Sequence, residues 1–151
     1  MNAINLYKIA RFLNNRRIPF IPKLIKGVIF LLYNSVIPYT AVIGEHSKLA
    51  YGGIGTVIHS KTTIGKRVLI GQNVTIGRAL DPDGVPYIGD NVYISAGVRI
   101  IGNVTVGNNV IIGANAVVTK DIPDNCIIAG VPAKVIRIID HDIYDLLKNI
   151  Y

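Results

Sequence analysis

The chain has 151 residues, 50% of them apolar, a formal charge of +7, one cysteine and no tryptophan. That length fits one domain, the apolar share excludes a disordered chain, and a lone cysteine excludes an internal disulfide and points to a reducing, cytoplasmic setting. The basic excess favours an anionic partner, yet no aromatic-basic RNA motif and no DNA-reading helix accompanies it, so nucleic acid is not expected.

Residues 1–40 form a basic segment that reads as helical. Ile4, Leu6, Tyr7, Ile9, Ala10, Phe12 and Leu13 recur at mixed three- and four-residue steps, as on one side of a helix. Pro19 and Pro22 break the pattern and a second short helix follows. Lys8, Arg11, Arg16, Arg17, Lys23 and Lys26 fall here, and no acidic residue precedes Glu45. No signal peptide is expected, because the first ten residues lack a continuous apolar core. The apolar run at Gly27–Tyr33 is short of the roughly 20 residues that a membrane span needs. Two readings stay open: the segment covers one end of the domain, which is favoured, or it makes peripheral contact with the inner face of a membrane.

Over residues 41–138 the period changes. Ile58, Ile64, Ile70 and Ile76 stand six apart; after a gap of twelve the series resumes at Ile88, Ile94, Ile100, Val106, Ile112 and Val118. A second column follows four residues later, at Val68, Val74, Val92, Val98, Val104, Val110 and Ala116, and Gly then Asn or Asp often occupy the intervening turn. No helix buries a strict six-residue repeat, since 3.6 does not divide it. A short strand plus a tight turn does, and Gly and Asn tolerate the left-handed backbone such turns need. Three units make a triangular coil of about 18 residues with the aliphatic columns stacked inside. The predicted fold is therefore an all-β solenoid, a parallel β-helix, with a short helical N-terminal segment. Residues 139–151 read as a short C-terminal helix that closes the far end or packs on a neighbour. Cys126, in an apolar run, reads as buried filler.

Three stretches carry a resemblance. Ile-Gly-Gln-Asn-Val-Thr-Ile-Gly at 70–77, Ile-Gly-Ala-Asn-Ala-Val-Val-Thr-Lys-Asp at 112–121 and Ala-Gly-Val-Pro-Ala-Lys-Val-Ile at 129–136 resemble the hexapeptide-repeat acyltransferases. The serine-acetyltransferase-like branch is the nearest, especially short members of capsule, colanic acid and O-antigen synthesis. The resemblance implies a left-handed coil and acetyl-CoA as co-substrate, with no metal. It also implies O-acetylation of a sugar hydroxyl in surface polysaccharide synthesis. Serine acetyltransferases themselves carry two active-site histidines, in Asp-His-Ala-Thr-Gly and Arg-His-Pro stretches. The best-matching positions here hold Tyr51 and Val85, which argues against serine as acceptor.

Acetyl transfer to a hydroxyl needs a base and a donor for the oxyanion. His59 stands at a hexad corner where Gly is usual and is the expected general base; His46 is second, and His141 lies in the tail. Eighteen residues on from His59 is Gly77, so those two corners should adjoin. The turn signal Asp81-Pro82-Asp83-Gly84 predicts that part of 77–87 bulges as a loop there. Arg78, Asp81 and Asp83, with Tyr51, are then assigned to the acceptor site. Ala96 and Ala114 are 18 apart and stack. In the family, small residues at this pair let the pantetheine arm run along the coil edge, with Pro132 nearby. Lys120, Lys134 and Arg137 suit the CoA phosphates. If the loop bulges, His59 and Ala96 lie on different faces of one prism. A cleft between subunits would unite them, which predicts a homotrimer. The rival readings are serine O-acetylation, a zinc hydratase needing three His ligands, and a non-catalytic scaffold.

Overall fold

The computed structural model describes residues 2–81 and 83–148. Two helices come first. In α1 (Ala3–Asn15) the Asn2 side chain caps the start by accepting the Ile4 N–H at 3.0 Å. In α2 (Ile21–Tyr33) Pro22 occupies the first turn, where its missing N–H costs nothing, and Asn34 ends the helix in a left-handed conformation.

The strands that follow go to three sheets in rotation. The first face holds β1 (Val42–Ile43), β4 (Thr63–Ile64), β7 (Tyr87–Ile88) and β10 (Thr105–Val106). The second holds β2 (Lys48–Leu49), β5 (Leu69–Ile70), β8 (Val92–Ile94), β11 (Val110–Ile112) and β13 (Cys126–Ala129). The third holds β3 (Val57–Ile58), β6 (Thr75–Gly77), β9 (Arg99–Ile101) and β12 (Val117–Val118). Neighbours within each of these sets pair in parallel. A chain that returns to the same face every third strand is a three-sided coil, as the six-residue columns predicted. β14 (Lys134–Ile138) reverses and pairs antiparallel with β13, covering the last edge of the second face.

Both predicted columns point inward. Ile58, Ile64, Ile70, Ile76, Ile88, Ile94, Ile100 and Ile112 are at most 1% exposed, and Val68, Val74, Val92, Val98, Val110 and Ala116 pack among them. Each fully buried aliphatic side chain contributes roughly 1.5–3 kcal/mol, so the stacked columns hold the coil together. The N-terminal end is closed by α1, whose Ala3, Ile4 and Tyr7 join the same core. Tyr7 Oη donates to the Ala41 carbonyl at 2.7 Å and accepts the Ile43 N–H at 3.1 Å. Burial pushes its phenol pKa up, against the opposing pull of the Arg11 charge.

The turns between faces form three corners. Corner I joins the first face to the second, corner II the second to the third, and corner III the third to the first. At corner I, Asn91, Asn109 and Asn125 take φ of 53°, 58° and 56°, the left-handed region that Asn tolerates. One expectation needs correction here. The tail does not close the far end but runs back along corner I of its own chain. Asn109 holds it there, accepting the Ile143 N–H at 2.8 Å and donating to the His141 carbonyl at 2.9 Å. In α3 (Ile143–Leu146) the Tyr144 hydroxyl reaches the Arg67 carbonyl.

Candidate functional site

His59 sits at corner III. Its N–H donates to the Ile76 carbonyl at 2.8 Å, and β3 pairs with β6 in register, so Gly77 lies on the adjoining rung as expected. The loop also emerges at this corner. Partners on the third face lie 18 residues apart from Arg99 to Val117 but 24 from Thr75 to Arg99, so six residues leave the coil after Gly77. The loop folds over the next rung. A Cβ at Gly84 would lie 2.4 Å from that of Asn103, so only glycine fits that approach. Arg78, Asp81 and Asp83 are exposed on the loop, and Leu80, which the sequence reading passed over, is 91% exposed.

The His59 ring has a defined setting. Nδ1 accepts the Lys61 N–H at 3.2 Å, so the neutral ring carries its proton on Nε2. In that tautomer the ring donates at Nε2. To take a proton there it must shift tautomer and release the Lys61 amide, which costs about 1 kcal/mol.

Corner II carries the small-residue column. β8 and β11 pair with Ile94 opposite Ile112, and the Ala96 carbonyl accepts the Asn115 N–H at 2.9 Å, which stacks Ala96 under Ala114. The Gly130–Ala133 turn lies on the next level. Gly130 and Ala133 bracket Val117 through hydrogen bonds of 3.0 and 2.8 Å, and Pro132 is exposed between them. Lys134 follows directly at the start of β14. Ala96, Ala114, Pro132 and Lys134 thus share one edge of the prism, with nothing bulkier than a methyl group in the paired positions.

The register sets three of the predicted residues apart within one chain. Lys120 follows β12 and lies at corner III, across the third face from Ala114. Arg137 pairs with Ile127 on the second face and does not share the corner with Lys134, because β14 carries it away. Tyr51 lies at corner II in the 3₁₀ turn Ala50–Gly53, on the opposite side of the third face from the loop. The fold gives Tyr51 other neighbours. A groove of about 590 Å³ is lined by His46, Lys48, Tyr51, Arg67, Leu69 and Tyr144, among others. His46, Tyr51 and Arg67 have φ of 60°, 48° and 54°. On the described coil these are the left-handed positions that hold neither Gly nor Asn. The signal was present in the sequence as corner positions filled against the pattern.

A second groove, of about 610 Å³, adjoins the His59 corner. Lys23, Lys26, Phe30, Tyr39, Thr40 and Ser60 are among its lining residues. The Thr40 hydroxyl donates to the Ser60 carbonyl at 3.0 Å, which fixes the groove wall beside His59. The sequence reading did not connect the N-terminal segment with this corner.

Within one chain the two edges stay apart. Five residue steps separate Gly97 at corner II from Gly102 at corner III, on the order of 16 Å, and His59 lies two rungs lower, about 10 Å. Cys126 is fully buried, and burial followed by the Asp124 charge pushes its thiol pKa up, which suits filler and not a nucleophile.

Comparison with known proteins fits this geometry. Residues 86–120 match the family model for the bacterial transferase hexapeptide (six repeats), and residues 61–101 match that for the hexapeptide repeat of succinyl-transferase. A serine acetyltransferase of Synechococcus elongatus is 35% identical over 136 residues, covering 89% of this chain and 55% of that protein. The galactoside O-acetyltransferase of Escherichia coli K12 is 44% identical over 109 residues, covering 64% of this chain and 52% of the relative. Among solved structures, serine acetyltransferase of Brucella abortus in complex with coenzyme A superposes with a TM-score of 0.85 at 28% identity, covering 91% of this chain and 56% of that one. The chain spans little more than half the length of these relatives.

Proposed function

The chain belongs to the hexapeptide-repeat family of bacterial transferases, and from that membership we propose that it is an O-acetyltransferase using acetyl-CoA, built on a left-handed β-helix. The observation that carries the reading is the pairing of two edges of the third face. Corner II offers a column of small side chains, Ala96 and Ala114, beneath the Gly130–Ala133 turn. Corner III offers His59 under an exposed loop. In this reading a pantetheine arm runs along the first edge, Lys134 meets the phosphates of CoA, and an acceptor hydroxyl lies against the second.

In this reading the acceptor oxygen attacks the thioester carbonyl carbon. His59 Nε2 takes the hydroxyl proton in the switched tautomer, the C–S bond breaks, and the thiolate leaves and is protonated. Arg78, Asp81 and Asp83 line the acceptor side from the loop. The separation of the two edges within one chain supports a homotrimer, in which corner II of one subunit faces corner III of the next and each cleft holds one reaction centre.

Two acceptors remain, and different observations support each. The relatives weigh toward serine. Serine acetyltransferases of Synechococcus elongatus and Bacillus pumilus match 89% and 90% of the chain, whereas the galactoside enzyme matches less of it at higher identity. Serine is therefore the first acceptor, against the initial expectation of a sugar. A sugar of a surface polysaccharide is the second, supported by Tyr51 and Val85 standing where the resemblance places the two histidines. The test is thiol release from acetyl-CoA over a panel of L-serine, galactosides and other hexoses. Release that depends on one acceptor class is expected. No release with any acceptor, together with no CoA binding by calorimetry, would leave a scaffold.

A further inference from the structure

The N-terminal helices present an unusual surface. In α2, Pro22 and Ile29 are the buried residues, and they mark the face toward the coil. At 100° per residue, Leu24 and Leu31 fall on the opposite, outward face, with Ile21 and Leu32 continuing it on one side and Phe30, Lys23 and Lys26 on the other. The exposures are large: Phe20 76%, Leu24 69%, Leu31 81%, Leu32 55% and Phe30 53%. On α1, Phe12 is also exposed, at 56%, with the Arg16 guanidinium 4.9 Å from its ring centre. A soluble surface seldom leaves so many large apolar side chains side by side.

The charge around the patch selects its partner. Lys8, Arg16, Arg17, Lys23 and Lys26 are exposed in this segment, and no acidic residue precedes Glu45. Arg11 is engaged elsewhere, donating to the carbonyls of Tyr39, Thr40 and Ala41. A second copy laid face to face on this patch would bring the two cationic rims together, so self-association is opposed by charge. An anionic lipid surface satisfies both features at once. At 13 residues α2 is about 20 Å long, and no helix among the described residues is long and apolar enough to cross a membrane. The arrangement fits a helix lying in the interface plane.

We propose that the α1–α2 pair docks the protein on a membrane leaflet bearing anionic headgroups, with Leu24, Leu31 and Phe20 in the acyl boundary and Lys23 and Lys26 on the headgroups. The groove lined by Lys23, Lys26 and Ser60 then opens at that surface, beside His59. The docking itself does not depend on the acetyltransferase reading, so either can fail alone.

The experiment is flotation of the full chain with vesicles of phosphatidylcholine alone or with about one third phosphatidylglycerol, at low and high salt. Binding to the anionic vesicles is expected, with little to neutral ones and a loss at high salt. Lys23→Gln with Lys26→Gln should weaken binding by about 25-fold, roughly fivefold per charge. Leu24→Asp with Leu31→Asp should abolish it with an unchanged circular dichroism spectrum, since both side chains are exposed. No flotation of the parent chain overturns the proposal. So does a leucine pair variant that still floats, or one whose assembly mass by light scattering drops, which would show that a second copy covers the face.

Discussion

His59→Ala is the sharpest test of the site. The side chain contributes nothing to the coil ladder: its backbone N–H makes the inter-rung bond to Ile76, and the ring accepts the Lys61 N–H within the local turn. The variant should therefore fold and melt as the parent does. As a base the ring must first leave the tautomer fixed by the Lys61 amide, a cost of about 1 kcal/mol, or about a fivefold reduction in rate. General-base catalysis is worth about 10²–10⁴-fold. The tautomer cost is small against that gain, so the base role survives it, and kcat/KM should fall by about 100-fold or more. His59→Gln separates the alternatives. A carboxamide can donate to an oxyanion but cannot take the acceptor's proton, so the Gln variant should be as slow as the Ala variant. The assay is acceptor-dependent thiol release at saturating acetyl-CoA. An unchanged rate in His59→Ala would remove His59 from the chemistry, and near-parent activity in His59→Gln would make it an oxyanion donor in place of a base.

Ala114→Trp places an indole on the corner II column and should weaken CoA binding by about tenfold or more, with no change in thermal midpoint because Ala114 is exposed; calorimetry with CoA checks it. Ile94→Ala removes a side chain at 0% exposure from the column shared with Ile70 and Ile112, and should cost about 2–5 kcal/mol in urea unfolding. A loss under about 1 kcal/mol would show that the columns do not stack as described. Tyr7→Phe leaves the Ile43 N–H without its acceptor beneath α1 and should cost about 1–3 kcal/mol.

The coil was legible because its physics is local and periodic. Two aliphatic residues per rung per face point inward, as Val92 and Ile94 do on β8, so the columns from Ile58 to Val118 announce the repeat without any tertiary information. The loop was legible for the same reason: a gap of twelve in a series of six leaves six residues over, and the Asp81–Gly84 turn residues say where they go. The stacking of Ala96 under Ala114, and of His59 beside Gly77, followed from the 18-residue rung. Less was legible where the phase did not reach. Lys120, Lys134 and Arg137 are close in sequence and suggested one phosphate site, but the chain turns a corner between Lys120 and Lys134 and reverses into β14 before Arg137. Tyr51 precedes the settled phase, so its side of the prism could not be assigned. The tail's return along corner I rests on Asn109 and Arg67, residues whose partners lie more than thirty positions away.

The three corners also differ in what their backbone demands. Corner I repeats one left-handed position per rung, and from Asn91 onward the chain fills it with Asn, whose side chain supports the turn and, at Asn109, holds the tail. At His46 and Arg67 the same geometry is met by residues that adopt it at a cost of about 1–2 kcal/mol each. Arg67 offsets part of that cost through contacts an Asn could not make: its guanidinium lies 4.9 Å from the Tyr144 ring and 3.5 Å from Asp142. That pair is half exposed and worth at most about 1 kcal/mol. Among the described residues, no side-chain hydrogen bond or ion pair offsets the conformation of His46. The first rungs of corner I therefore hold side chains chosen for something other than the turn, and the groove they share with Tyr51 lies on the far side of corner II from His59. A coil built by repetition records its special positions as departures from the repeat, and in this chain they gather at two places, the His59 corner and that groove.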